Sequence, residues 1–263
     1  MQILKHELRA NRKALIIWCV CVFFMSVAGM YKFEALGSTG ISDMMSQFPK
    51  IIAVMFGAVP GLDLGTAEGF YGMLYTYLLI MAGIYAILLA AGILAKEERD
   101  KTTEFLVVRP VTRAQIVTQK LLCVLINTVI YDIVGWLSGI AALRSFTVSG
   151  SMVAHVTLMT LGIFFFQLVF IGIGMVFAAS FKDSKRSSMF AILILLVTYL
   201  FYVAYCISPN IVLRLLSPFA YFLPGSMING WGMGWPFAII CIAVCAVLIS
   251  VSYKNYRTRD LAI

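Results

Sequence analysis

KEERDKTTEFLVVRPVTRAQIVTQK, residues 96–120, holds ten of the 32 Asp, Glu, Lys and Arg residues of a 263-residue chain. Long apolar runs flank it on both sides. The chain is 62% hydrophobic and 12% charged, where a soluble domain carries about 25% charge. A concentrated polar block in so apolar a chain points to a segment that leaves a membrane to meet a soluble partner.

A bilayer core about 30 Å thick takes roughly 20 apolar residues to cross as a helix. Six runs qualify, at about 14–31, 72–94, 121–143, 152–180, 188–207 and 235–253. Lipid offers backbone groups no hydrogen-bond partner, so spans are helices or a closed barrel. These runs are continuous rather than alternating, which excludes the barrel. The expected fold is therefore an all-α membrane protein with six transmembrane helices. It is one transmembrane domain over 1–263, with an interfacial helix at 1–13 and a cytoplasmic segment at 95–120. No cleavable signal peptide is expected, because the first apolar run follows a basic stretch and lacks a small-x-small cleavage site.

With the N-terminus inside, Lys5, Arg9, Arg12, Lys13, Lys96, Arg99, Lys101, Arg109, Arg113, Lys120, Lys182, Lys185, Arg186, Lys254, Arg257 and Arg259 face the cytoplasm. Only Lys32, Lys50, Arg144 and Arg214 remain outside. This asymmetry is a positive-inside signal and predicts both termini in the cytoplasm. It also accounts for the net charge of +8 without a nucleic-acid partner. Cys19, Cys21, Cys123, Cys206, Cys241 and Cys245 have neither zinc-ribbon spacing nor a paired extracellular framework, and read as small apolar fillers.

Residues 2–13, QILKHELRANRK, place Ile3, Leu4 and Leu8 on one helical face and charges on the other, as suits an interfacial helix. A plain charged flank fits equally. Between 32 and 71, Met44, Met45, Phe48, Ile51, Ile52, Met55 and Phe56 recur at helical spacing around Pro49, followed by a turn at Pro60-Gly61. Residues 208–234 are apolar but broken by Pro209, Pro218, Pro224 and several glycines. Such a segment dips into the membrane or caps a cavity, since irregular backbone at depth needs protein or water around it. Trp231 and Trp235 fit an aromatic belt.

The polar block parses as a hairpin. The second span continues as a helix through Lys96–Val107 and stops before Pro110, because the residue preceding proline avoids the helical region. Thr112-x-x-Gln115 is a capping box that restarts the helix into the third span. Val108–Val111 form the tip.

No P-loop, H-E-x-x-H or G-x-S-x-G is present, and neither His6 nor His155 lies near a residue that reads as a catalytic acid or nucleophile. The chain therefore reads as a non-enzyme with no cofactor or metal of its own. Asp132 is the one acid in the middle of a predicted span. At the bilayer centre it costs about 2.5–3.5 kcal/mol. It faces a wet cavity, is protonated, or finds partners such as Asn127 or Tyr131. A point on a translocation path and a helix–helix hydrogen bond both stay open. Gly135-x-x-x-Gly139 allows close helix contact, and Gly172 and Gly174 serve packing or a hinge.

The polar block resembles the signature between the second and third spans of type-2 ABC exporter permeases. The matching residues are Glu97-Glu98, Thr102-Thr103-Glu104-Phe105-Leu106, Pro110-Val111-Thr112-Arg113 and Lys120, with Lys101 where many members have Gly. KHELRANRKALIIW (5–18) is similar to the family's N-terminal interfacial segment, and LSPFAYFLPGSMINGW (216–231) to its outer segment. The resemblance implies a bacterial plasma-membrane permease that pairs with an identical or sister permease. It also implies a separate P-loop ATPase, which binds ATP and Mg. Glu97, Glu98, Glu104, Phe105, Arg109, Pro110, Thr112 and Arg113 would then couple to that ATPase, while Asp132, Asn127 and Tyr131 would border the path. The cargo would be an amphipathic peptide, an antibiotic or a lipid-like molecule. A proton-coupled transporter using Asp132 and a non-transporting immunity or sensor protein are the alternatives.

Overall fold

The computed structural model describes residues 2–99, 112–146, 152–181, 183–230, 232 and 234–258. Among them all regular structure is helical. The long helices are α1 (Gln2–Ser46), α3 (Ala67–Arg99), α4 (Arg113–Leu143), α5 (Met152–Ser180), α6 (Ser184–Ile207) and α9 (Trp235–Thr258). Six helical stretches, one in each, are long and apolar enough to cross a membrane. Short helices α2 (Lys50–Met55), α7 (Ile211–Leu216) and α8 (Pro224–Ile228), with a 3₁₀ turn at Pro218–Tyr221, lie between them.

The centre of the bundle is α3 against α5, with α9 packed on α5 and α1 on α4. The apolar windows of α3 and α5 are the most buried and that of α1 the least. Ile16, Ile17 and Phe24 stay exposed on α1, as a side chain facing lipid tails has no reason to hide. The central contact is close because Gly174 stands where a Cβ would meet Ala90 Cβ at 2.7 Å and Ile87 O at 2.8 Å. Packing rather than a hinge explains this residue.

Two expectations about the first helix change. No break separates an interfacial helix ending at residue 13 from a span beginning at 14, because residues 2–46 form one helix. Nothing in 2–46 is a proline, and Gly29, Gly37 and Gly40 alone do not stop a helix. At about 1.5 Å per residue this element is far longer than a bilayer core is thick. The apolar face of 2–13 packs on protein: Ile3 is buried, and Leu4 and Leu8 lie against the cluster containing Ile93, Leu94 and Val117.

The outer segments follow their proline punctuation. α1 ends at Ser46, Pro49 precedes α2, and the chain turns at Pro60-Gly61, where Gly61 has φ +86°. Tyr77 Oη donates to Phe56 O at 3.0 Å and Tyr199 Oη to Met55 O at 2.9 Å, pinning α2 to α3 and α6. The 218–228 segment plugs one end of the bundle. Phe219 is 1% exposed, with its ring 4.6 Å from that of Phe166, halfway along α5. This is the inward dip that broken apolar backbone requires.

Candidate functional site

The polar block is anchored at both ends within the described residues. α3 continues through Lys96 to Arg99 without interruption. Glu97 and Glu98 are on its final turn. Thr112 restarts the chain as the N-cap of α4: its Oγ1 accepts from Gln115 N at 3.3 Å, and Gln115 Oε1 accepts from Thr112 N at 3.0 Å. The expected capping box is formed. Glu104, Phe105, Arg109 and Pro110, with the rest of the expected hairpin tip, lie outside the described residues. Arg113 donates from Nη1 to Arg257 O at 3.0 Å, and the Thr118 and Tyr253 hydroxyls are 2.7 Å apart. The start of α4 is thereby joined to the end of α9. Thr112, Arg113, Val117, Tyr253, Lys254 and Arg257 line a cavity of about 660 Å³ at that junction.

Lys120 is more deeply placed than a flanking cytoplasmic charge. It is fully buried, and its Nζ donates to Ile93 O at 2.6 Å and lies 3.9 Å from Glu7 Oε1. Glu7 is buried too. Leu4 N donates to Gln119 Oε1 at 3.3 Å, which satisfies one of the first-turn donors of α1.

The three residues proposed from sequence for a path lie on one stretch of α4, and all three are buried. They do not converge. Asn127 Nδ2 turns back to its own helix, donating to Cys123 O at 2.8 Å. Tyr131 stacks on Tyr85 of α3, ring centroids 5.0 Å apart. Asp132 meets α5: with its amide nitrogen toward the carboxylate, the orientation that satisfies both groups, Gln167 donates to Oδ2 at 2.9 Å and Oδ1 at 3.0 Å. Neither Asn127 nor Tyr131 is the partner of Asp132. Gln167 was missed, although it is the one amide side chain in the fourth apolar run. A mid-span amide needs an interhelical partner, and that was the legible signal.

Asp132 sits between two spaces. One is a groove of about 330 Å³ between α4 and α5, lined by Val129, Ile133, Trp136, Thr157, Leu161 and Phe164. The other is a gap about the size of one water, bordered by Tyr71, Tyr75, Tyr131 and Thr160. Trp136 Nε1 donates to Thr157 Oγ1 at 2.9 Å across the groove. Gly139 is a point of close approach, since a Cβ there would strike Tyr71 Oη and come within 2.9 Å of Val156. Gly135 is not, its nearest neighbour being Val22 at 3.9 Å. Only half of the G-x-x-x-G pair acts in close packing.

The family of ABC-2 family transporter proteins matches residues 1–261. A search of curated proteins found no match. The chain belongs to the ABC-2 transporter family. It is a membrane-spanning permease of the ABC transporter class, a kind of subunit that works with an ATPase and is generally not an enzyme itself.

Proposed function

We propose that this ABC-2 family chain is the permease of an ATP-driven exporter in the bacterial plasma membrane, with both termini in the cytoplasm. The family match across residues 1–261 carries the reading. The charged segment 96–120 supports it, because an uninterrupted α3 leads into the segment and a capped α4 leads out. A separate P-loop ATPase, holding ATP and Mg, docks on that segment through Glu97, Glu98, Glu104, Phe105, Arg109, Pro110, Thr112 and Arg113. A second permease, identical or sister, completes the path. The cargo is amphipathic: a peptide, an antibiotic or a lipid-like molecule.

Asp132, Asn127 and Tyr131 enter this reading as the polar face of α4 beside the path. Movement of α4 against α5 would open the seam that the Asp132–Gln167 hydrogen bonds now close. Asp132→Asn keeps size and most hydrogen bonding, so protein level should hold while export of a cationic amphipath falls. Full export in both Asp132→Asn and Asp132→Leu would remove this residue from the path. A proton relay is less well supported, because the partner of Asp132 is an amide and not a second titratable group. Inside-out vesicles carrying the chain and its ATPase should take up amphipathic cargo only with ATP. Uptake driven by a proton gradient without ATP would favour a secondary transporter.

A further inference from the structure

We infer that the buried Glu7–Lys120 pair is a joint that makes the N-terminal end of α1 move as one body with the C-terminal end of α3 and the first turns of α4. The pair is deeply placed. Lys120 is 0% and Glu7 3% exposed, whereas the Asp183–Arg186 pair stands largely in the open. Burying two ions costs several kcal/mol each unless geometry and further hydrogen bonds compensate, and apolar residues would fill the same volume at no such cost. Stability alone therefore does not explain the pair.

Its connections do. Lys120 is on the first turns of α4, the element entered from the charged segment. Its Nζ reaches Ile93 O on α3, the element from which that segment departs, and Glu7 on α1. One ammonium thus ties three elements where both legs of 96–120 meet the bundle. Gln119 repeats the tie one residue earlier through Leu4 N. The apolar face of 2–13 is seated on the same place, with Leu4 and Leu8 against Ile93, Leu94 and Val117. A displacement of the two legs cannot leave the start of α1 behind without separating a buried cation from its anion. The charged pair makes this contact specific in direction, where an apolar contact would slide. Glu7 and Lys120 are positioning residues, and their bearing on transport rests on the proposed docking of an ATPase at 96–120.

Amide exchange of the full chain in nanodiscs tests the joint. Lys120→Met should raise exchange about tenfold or more in both 3–12 and 113–120, although it alters only one of them. Glu7→Gln should do the same. In Glu7→Met/Lys120→Met no buried charge is orphaned, so the increase should be smaller than in either single variant. Exchange that rises only in the segment carrying the substitution, or effects that simply add in the double variant, would overturn the joint. A second arm uses the complex with the ATPase. ATP and vanadate should change exchange in 113–119 and 3–12 together in the wild type, but in 113–119 alone in Glu7→Met/Lys120→Met. A change reaching 3–12 undiminished in that variant would overturn the inference. A wild-type complex with no ATP-linked change at 113–119 would count against ATPase docking, and the first arm would still decide the joint.

Discussion

Asp132 shows how far one residue can be read. A lone carboxylate amid an apolar run is visible in the sequence, and so is its need for a partner. The partner itself is not, because Gln167 lies 35 positions away and only the α4–α5 contact brings it near. An interhelical hydrogen bond in a membrane is worth about 0.6–2 kcal/mol, but an orphaned buried polar group costs about 1–3 kcal/mol or more. Gln167→Leu should therefore destabilise the detergent-solubilised chain by about 1–3 kcal/mol, read from its thermal unfolding. Asp132→Leu/Gln167→Leu should cost less than the two single changes added together. Strict additivity would show that the two side chains do not act as a pair. Lys120 teaches the converse. The charge count assigns it to the cytoplasmic flank, yet the structure buries it, because Glu7 and Ile93 O supply what water would have supplied.

At the scale of elements, local chemistry was legible wherever it was local. The Thr112 capping box, the turn at Pro60-Gly61 and the proline-broken dip at 218–228 are all where residue pattern places them. Thr112→Ala should cost the start of α4 about 1 kcal/mol, seen as faster amide exchange over 113–117 with little change in α5. The dip depends on Phe219, whose ring meets Phe166, Phe170, Tyr199 and Tyr202. Phe219→Ala should destabilise the bundle by about 3–5 kcal/mol. A loss well below 1 kcal/mol would mean the segment is not held inside the bundle. The end of α1 was not legible. Residues 32–46 contain Lys32, Glu34 and two glycines and look like loop, but the helix continues through them, since no proline halts it before Pro49.

For the whole molecule, six spans and their order follow from hydropathy, whereas the pairing of α3 with α5, and of α1 with α4, does not. Close approach of α3 and α5 depends on a small residue, Gly174, and any apolar span carries candidates for that role. The proposed orientation rests on the basic residues. In a cysteine-free background, an impermeant thiol reagent on intact cells should label Ser42→Cys and Ser208→Cys but not Thr112→Cys or Lys185→Cys. Labelling at Thr112→Cys would reverse the topology. The central claim is that the 96–120 segment carries an ATPase. Retention of a P-loop ATPase of the ABC class from the same organism, on purified wild type and on Arg109→Glu/Arg113→Glu, tests it most directly. The account predicts that the wild type retains the ATPase and that the variant reaches the membrane equally well but retains about tenfold less or lower. Equal retention by the variant, or none by the wild type, would contradict it.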